Sequence, residues 1–232
     1  MRERLPDLLF HFTLLDGIAL LGLLLCWFYC AYVIERRNAA KPSTHMLMES
    51  YRIRWMEQMI TRQPRIFDSA ILGIMRNGAT FFASSCMIAI GGCVALLGGA
   101  EQLTVIASDL SDALVVPKIV WEVKILVLMG FLGNGFLKFV WAVRLFGYCA
   151  IVMASVPNDP EDPEATPTAR KAADISNHAA RSFNRGLRSV YFTIATLTWL
   201  IGPVPLIIAA VTTTVVLYRR EFNSRSRAAL AS

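Results

Sequence analysis

Charge is scarce in this chain: aspartate, glutamate, lysine and arginine make up 17% of 232 residues, against 55% hydrophobic residues and a mean hydropathy of +0.49. A water-soluble surface usually needs about a quarter of its residues charged, so an ordinary soluble domain is excluded and an integral membrane class is indicated. Histidine is scarcer still, with only His11, His45 and His178. His11 alone lies near a long apolar run, so paired axial histidines for a haem inside a membrane are not supported. Cysteine is missing from the polar segments. Cys26, Cys30, Cys86, Cys93 and Cys149 all fall within or at the end of apolar stretches, which excludes a disulfide framework and leaves free thiols. Cys26 and Cys30 share a helix face, yet no histidine or acid stands near them to complete a metal site. No nucleophile has a base partner beside it, so an enzyme is not expected, and neither is a metal or a cofactor.

What the chain does have is four apolar stretches, at residues 12–33, 78–97, 120–143 and 190–217. Each is long enough to cross a hydrocarbon core of about 30 Å, which takes roughly 20 helical residues. The first exceeds the apolar core of a cleavable signal and ends in VIERRN without a small-residue cleavage site, so an uncleaved span is expected.

Basic residues set the orientation. Residues 35–76 hold eight (Arg36, Arg37, Lys41, Arg52, Arg54, Arg62, Arg65, Arg76), whereas residues 98–119 hold only Lys118. The positive-inside rule makes the first segment cytoplasmic and starts the N-terminus in the periplasm of an inner-membrane protein. Residues 144–189, with six basic residues, agree. The tail then poses a conflict, because four simple spans would leave Arg219, Arg220, Arg225 and Arg227 outside. GPVP, Gly202 to Pro205, interrupts the last apolar region, and proline lacks the N–H that a continuing helix needs. Either a kinked span or a helical hairpin follows. The arginines favour the hairpin, with a cytoplasmic C-terminus.

Between the spans, residues 43–62 read as a cytoplasmic amphipathic helix with Ser43 as N-cap and with Met48, Tyr51, Trp55, Met56 and Met59 on one side. Leu103, Ile106, Leu110 and Leu114 suggest a short interfacial helix. Residues 156–168, VPNDPEDPEATPT, carry four prolines and four acids and read as a flexible linker within one membrane domain spanning 1–232.

Small residues recur at four-residue spacing, Gly22, Cys26 and Cys30 in one span and Ser85, Ala89 and Cys93 in another, with Ala79 and Ala83 nearby. Such faces let helix backbones approach in lipid. GFLGNGF, Gly130 to Phe136, follows no strand and so is no dinucleotide loop; flexibility or tight packing is its expected use, with Asn134 a candidate for bonding across helices. Asp16, Glu122, Asn134 and Lys138 are the candidates for a polar intramembrane path, although Glu122, Lys124 and Lys138 are placed to snorkel to opposite interfaces.

HAARSFNRGLRSVYF sets His178, Arg181, Arg185 and Arg188 at steps of three, four and three, one stripe of a helix. Arg62 and Arg65 form a second basic face, with Arg65 spaced to pair with Asp68. Because the basic residues flank the spans instead of forming a separate domain, nucleic acid is not an expected partner. Anionic headgroups are, in competition with internal pairs to Glu49, Glu57 or Asp68. Arg62, Arg65, Arg181, Arg185 and Arg188 are therefore the candidate lipid- or partner-binding residues.

The segments YRIRWMEQMITRQPRIFDSAILG, FFASS, ALLGG, WEVKILVL, FLKFVWAVRLFGY, RSFNRGLRSVYF and LYRREFNSR together resemble the domain of unknown function 599 family of bacterial and plant membrane proteins. The resemblance implies a multi-span helical fold without an assigned catalytic activity, and it supplies no site residues. The expected protein is all-α and polytopic, a self-associating or assembly component that binds anionic lipid through arginine faces. A small channel or transporter is the alternative, and a redox or enzyme subunit is third.

Overall fold

The computed structural model describes residues 12–36, 41–99 and 117–231, all helix, turn or loop with no strand among them. The interfacial helix expected around Leu103 and Leu114 lies outside the described residues. The helices are α1 (Leu14–Glu35), α2 (Thr44–Met59), α3 (Ile66–Gly98), α4 (Lys118–Ala154), α5 (Ala165–Leu197), α6 (Pro203–Phe222) and α7 (Arg225–Ala231), with a 3-10 turn at Thr198–Leu200. Three of them, α1, α3 and α4, are long and apolar enough to cross a membrane.

Local chemistry explains where the helices start. Thr13 and Asp16 form a reciprocal capping box at the head of α1, the Thr13 oxygen accepting from the Asp16 N–H and the Asp16 carboxylate accepting from the Thr13 N–H. Ser43 caps α2 as expected and also donates to the Ile34 carbonyl at 3.0 Å, which ties the start of α2 to the end of α1. Before α5, Asp159 and Asp162 each accept a backbone N–H two residues on. These Asx turns fold the acidic segment back. The helix then begins at Ala165, so residues 165–168 of the expected flexible linker are helical; Pro167 is tolerated because first-turn N–H groups have no helical partner.

The expected fourth crossing at residues 190–217 is not one continuous apolar helix. It is divided between the end of α5, the 3-10 turn and α6. Trp199, in the turn, touches Asp16 and Lys124. Glu221, at the far end of α6, instead accepts the Thr44 hydroxyl at its backbone carbonyl and the His45 N–H at its carboxylate. The chain therefore reverses near Gly202, a hairpin and not a kinked rod. Pro203 and Pro205 occupy the first turn of α6, where a missing N–H costs nothing. Asp16 and Trp199 mark one end of the bundle, the turn end. Glu35, His45 and Glu221 mark the other, the arginine end.

α5 is the hub, packed on α4 along most of its length and touching α1, α2 and α6 as well. Small side chains make this close approach feasible: Ala169, Ala172, Ala173, Ser176, Ala179 and Ser189 are all buried. Between α3 and α4 the seam is Ala79, Ala83, Cys86 and Cys93, with Ile90 alongside. Those steps of four and three keep one face toward a partner helix. The expected line Ser85, Ala89, Cys93, at steps of four throughout, drifts off that face, and Ala89 is exposed. The face expected of α2 also differs, since Met56 and Met59 are buried but Tyr51 is exposed and His45 is enclosed instead.

Among the described glycines, Gly186 on α5 is the one most closely approached by another helix. A Cβ there would sit 2.7 Å from the Phe139 ring of α4. That ring is held by stacking on Phe82 at 5.3 Å and by the edge of Phe183 at 5.5 Å, so it has nowhere to move. Gly186→Val should destabilise the protein by about 1 to 3 kcal/mol through overpacking. Gly133→Ala, which meets open space, should leave stability equal or slightly raised. Thermal unfolding in detergent separates the two, and an unchanged midpoint for Gly186→Val would contradict the close approach.

Candidate functional site

At the arginine end, the side chains singled out by the sequence are brought together, but mostly onto carboxylates of their own chain. Arg185 and Arg188, one turn apart on α5, both bond the Glu35 carboxylate that terminates α1. Arg188 is buried at 7% side-chain exposure, whereas Arg185 keeps 44%, so the arginine stripe is not one open face. Arg181 donates to Glu49 of α2 at 2.6 Å. Arg62 pairs with Asp68, whose buried carboxylate also accepts the Trp55 indole N–H at 2.8 Å.

Arg65 does not pair with Asp68 as its spacing suggested. It stands at the N-cap of α3, outside the helical register, and donates to the carbonyls of Val156 and Pro157 at 2.7 Å each. That clamps the loop leading to α5 against the start of α3. The anticipated internal partners Glu49, Glu57 and Asp68 are all used, Glu57 by Arg170 at 2.8 Å. Glu35, the acid with two arginines, was overlooked in the sequence. Its signal was its position, the first charge after an apolar run of span length.

The four candidates for a polar path are not brought to one place. Asp16 lies at the turn end, where its carboxylate accepts from the Thr13 hydroxyl at 2.6 Å and from Trp199 Nε1 at 2.8 Å. Beside it, Lys124 Nζ donates to the Trp199 carbonyl at 2.8 Å, close to the Trp121 and Trp199 rings. This ammonium satisfies a carbonyl that the ending helix leaves free. Glu122 is near the same end, 4.0 Å from Lys118 one turn before it. Asn134 is half-buried midway along α4 and donates to Ser189 Oγ of α5 at 2.6 Å, the cross-helix bond expected of it. Lys138 lies fourteen residues beyond Lys124, about 21 Å along α4.

Two clefts meet at Lys138. One, of about 320 Å³, runs between α1, α4 and α5 and is lined by Trp27, Phe28, Glu35, Asn134, Arg185 and Arg188 with Lys138 itself. Its neighbour, of about 310 Å³, lies between α4 and α5 and is lined by Lys138, Trp141, His178, Arg181, Ser182 and Arg185. Among the described residues no acid lines the second.

A further group at this end had no sequence signal. His45 is buried, its Nδ1 shares a hydrogen bond with Asn184 at 2.8 Å, and its Nε2 has no hydrogen-bond partner among the described residues. Burial, followed by the nearby Arg52 guanidinium, pushes its pKa from an ordinary 6.5 down to about 4. The pull of Glu49, 3.9 Å away, is too weak to reverse this.

An all-α bundle with three helices of membrane-crossing length and apolarity has the architecture of a multi-pass membrane protein. Most of its described arginine side chains gather at one end, while Lys118 and Lys124 stand at the other. The chain belongs to the family described as protein of unknown function, DUF599, whose model matches residues 18–226. No curated protein and no solved structure matches it.

Removing the Glu35 charge would leave two arginines facing each other, one of them buried. Glu35→Gln should destabilise the protein by on the order of 3 kcal/mol, whereas Glu57→Gln, whose partner Arg170 is largely exposed, should cost less than about 1 kcal/mol. Denaturation of both variants in one detergent gives the comparison, and equal losses would refute the central role of Glu35.

His45 adds a pH dependence. Its folded pKa lies below its unfolded one, so between about pH 6.5 and pH 4 the unfolded chain binds more protons. This contribution is therefore intact above the window and is lost as pH falls through it. Acidifying from about pH 7 to about pH 5 should lower the unfolding midpoint, and His45→Gln should flatten that slope. A wild-type slope unchanged in the variant would show that His45 is not responsible.

Proposed function

We propose that the protein is a non-enzymatic component of the bacterial inner membrane that associates with copies of itself or with a membrane complex, and that its arginine end rests on anionic phospholipid. In this reading the arginine end and the C-terminal tail are cytoplasmic, and the N-terminus and the turn end face the periplasm. The observation that carries it is the gathering of basic residues. The α5–α6 hairpin returns Arg219 and Arg220 to the end that already holds Arg181, Arg185 and Arg188, and positive charge accumulates on the cytoplasmic side of membrane proteins. Arg62 and Arg65 join the same end through the loop at Val156.

Self-association is supported by α3. Its seam with α4 leaves Ile74, Phe81, Ile88 and Val94 exposed on other faces, an apolar surface for lipid or for a second copy. A conducting path through Asp16, Glu122, Asn134 and Lys138 draws less support, because Asp16 and Asn134 are committed to Trp199 and Ser189, and Asp16 and Glu122 stand at the turn end while Lys138 lies toward the other.

Native mass spectrometry in mild detergent should detect an oligomer or a retained partner together with bound anionic phospholipid. Bare monomers carrying neither would sink the proposal. Reporters fused after Ser232 and inserted near Ser50 should report the same side of the membrane, and opposite sides would refute the orientation.

A further inference from the structure

We infer that the paired clefts around Lys138 form one site for a phospholipid bearing two phosphate groups, with Lys138 and Arg185 between the phosphates. The inference rests on the anionic-lipid reading above and adds to it a location, a stoichiometry and a headgroup class.

Charge sets the headgroup. Lys138, Arg181, Arg185 and Arg188 line the two clefts, and the carboxylates bonded to them are Glu35 and Glu49. Four cations against two carboxylates leave two positive charges uncompensated. Lys138 is the cation without a commitment, for its ammonium makes no hydrogen bond or ion pair among the described residues. Arg185 is held on one side by Glu35 but stays 44% exposed, so part of its guanidinium is open to a second acceptor. A headgroup with two phosphodiesters carries two negative charges and has acceptor oxygens for both clefts.

Shape and depth point to a lipid. Glu35 is the last residue of an apolar helix of membrane-crossing length, so the cations sit where such a helix meets the headgroup layer. From there the first cleft continues past Ala31 to Phe28 and Trp27, deeper along the apolar stretch. The second runs the other way, from Lys138 past Trp141 to Leu145 and Ile175, and holds the second phosphate. An acyl chain meets the apolar wall of the first cleft, which a free phosphate would leave unfilled. Basic pockets between membrane helices on the cytoplasmic side are suited to such headgroups.

The test uses the full chain in mild detergent, titrated separately with cardiolipin, phosphatidylglycerol, phosphatidylcholine and inorganic pyrophosphate, and read by native mass spectrometry and thermal shift. Wild type should retain one cardiolipin per chain, favoured over phosphatidylglycerol by about tenfold, with no shift from pyrophosphate. Lys138→Gln should reduce cardiolipin retention about fivefold, in line with the loss of one basic contact, and Lys138→Arg should restore it. Lys171→Gln removes an exposed charge outside the clefts and should retain cardiolipin as wild type does. Unchanged retention in Lys138→Gln, or an equal loss in Lys171→Gln, overturns the site while leaving general anionic-lipid binding standing. Lys138-dependent binding of pyrophosphate equal to that of cardiolipin overturns the lipid assignment. No anionic lipid on the wild type removes both this inference and the lipid part of the proposed function.

Discussion

The Glu35 carboxylate, shared by Arg185 and Arg188, is the interaction on which the arginine end depends. α1 and α5 meet there through charges, and removing a carboxylate from between two guanidinium groups is far costlier than breaking an exposed pair. Ser43 fastens the next helix to the end of α1 two residues before His45. Glu221 then accepts the His45 N–H, which brings α6 to the same place. Four helices thus converge near Glu35, and two of them, α1 and α5, join α4 in walling the clefts beside Lys138.

Much of the fold was legible because membrane helices announce themselves by length and apolarity. The apolar stretches at residues 12–33, 78–97 and 120–143 correspond to α1, α3 and α4, although α3 and α4 extend well past the apolar core at the arginine end. Hydropathy gives no warning of such extensions, since the extra turns are amphipathic and packed against other helices, not against lipid. The hairpin was legible from two proline residues and four tail arginines. The hub was not. α5 begins in a segment that looks polar, and its small residues bury themselves through backbone proximity, which a hydropathy scan does not register.

The site was partly legible for a related reason. Arginine spacing on one helix reveals a stripe, but which acid each arginine meets depends on how helices pair, and that is long-range information. Asp68 illustrates the problem: spacing favoured Arg65, yet Arg65 caps α3 and turns toward Val156, leaving Asp68 to Arg62. Lys138 stood out only as one of several ionisable residues in an apolar run. Its distinction is that Arg181, Arg185 and Arg188 each have an acid while it has none among the described residues, a property of the assembled bundle.

The bond between Asp16 and Trp199 joins residues 183 positions apart. During synthesis at about 5 to 20 residues per second, Asp16 leaves the ribosome roughly ten to forty seconds before its indole partner. Over that interval its carboxylate has the Thr13 hydroxyl and N–H to bond, a local arrangement that needs no other helix. The capping box therefore serves as a placeholder in time: it keeps an acid solvated by its own helix until the last hairpin arrives to close the bundle over it.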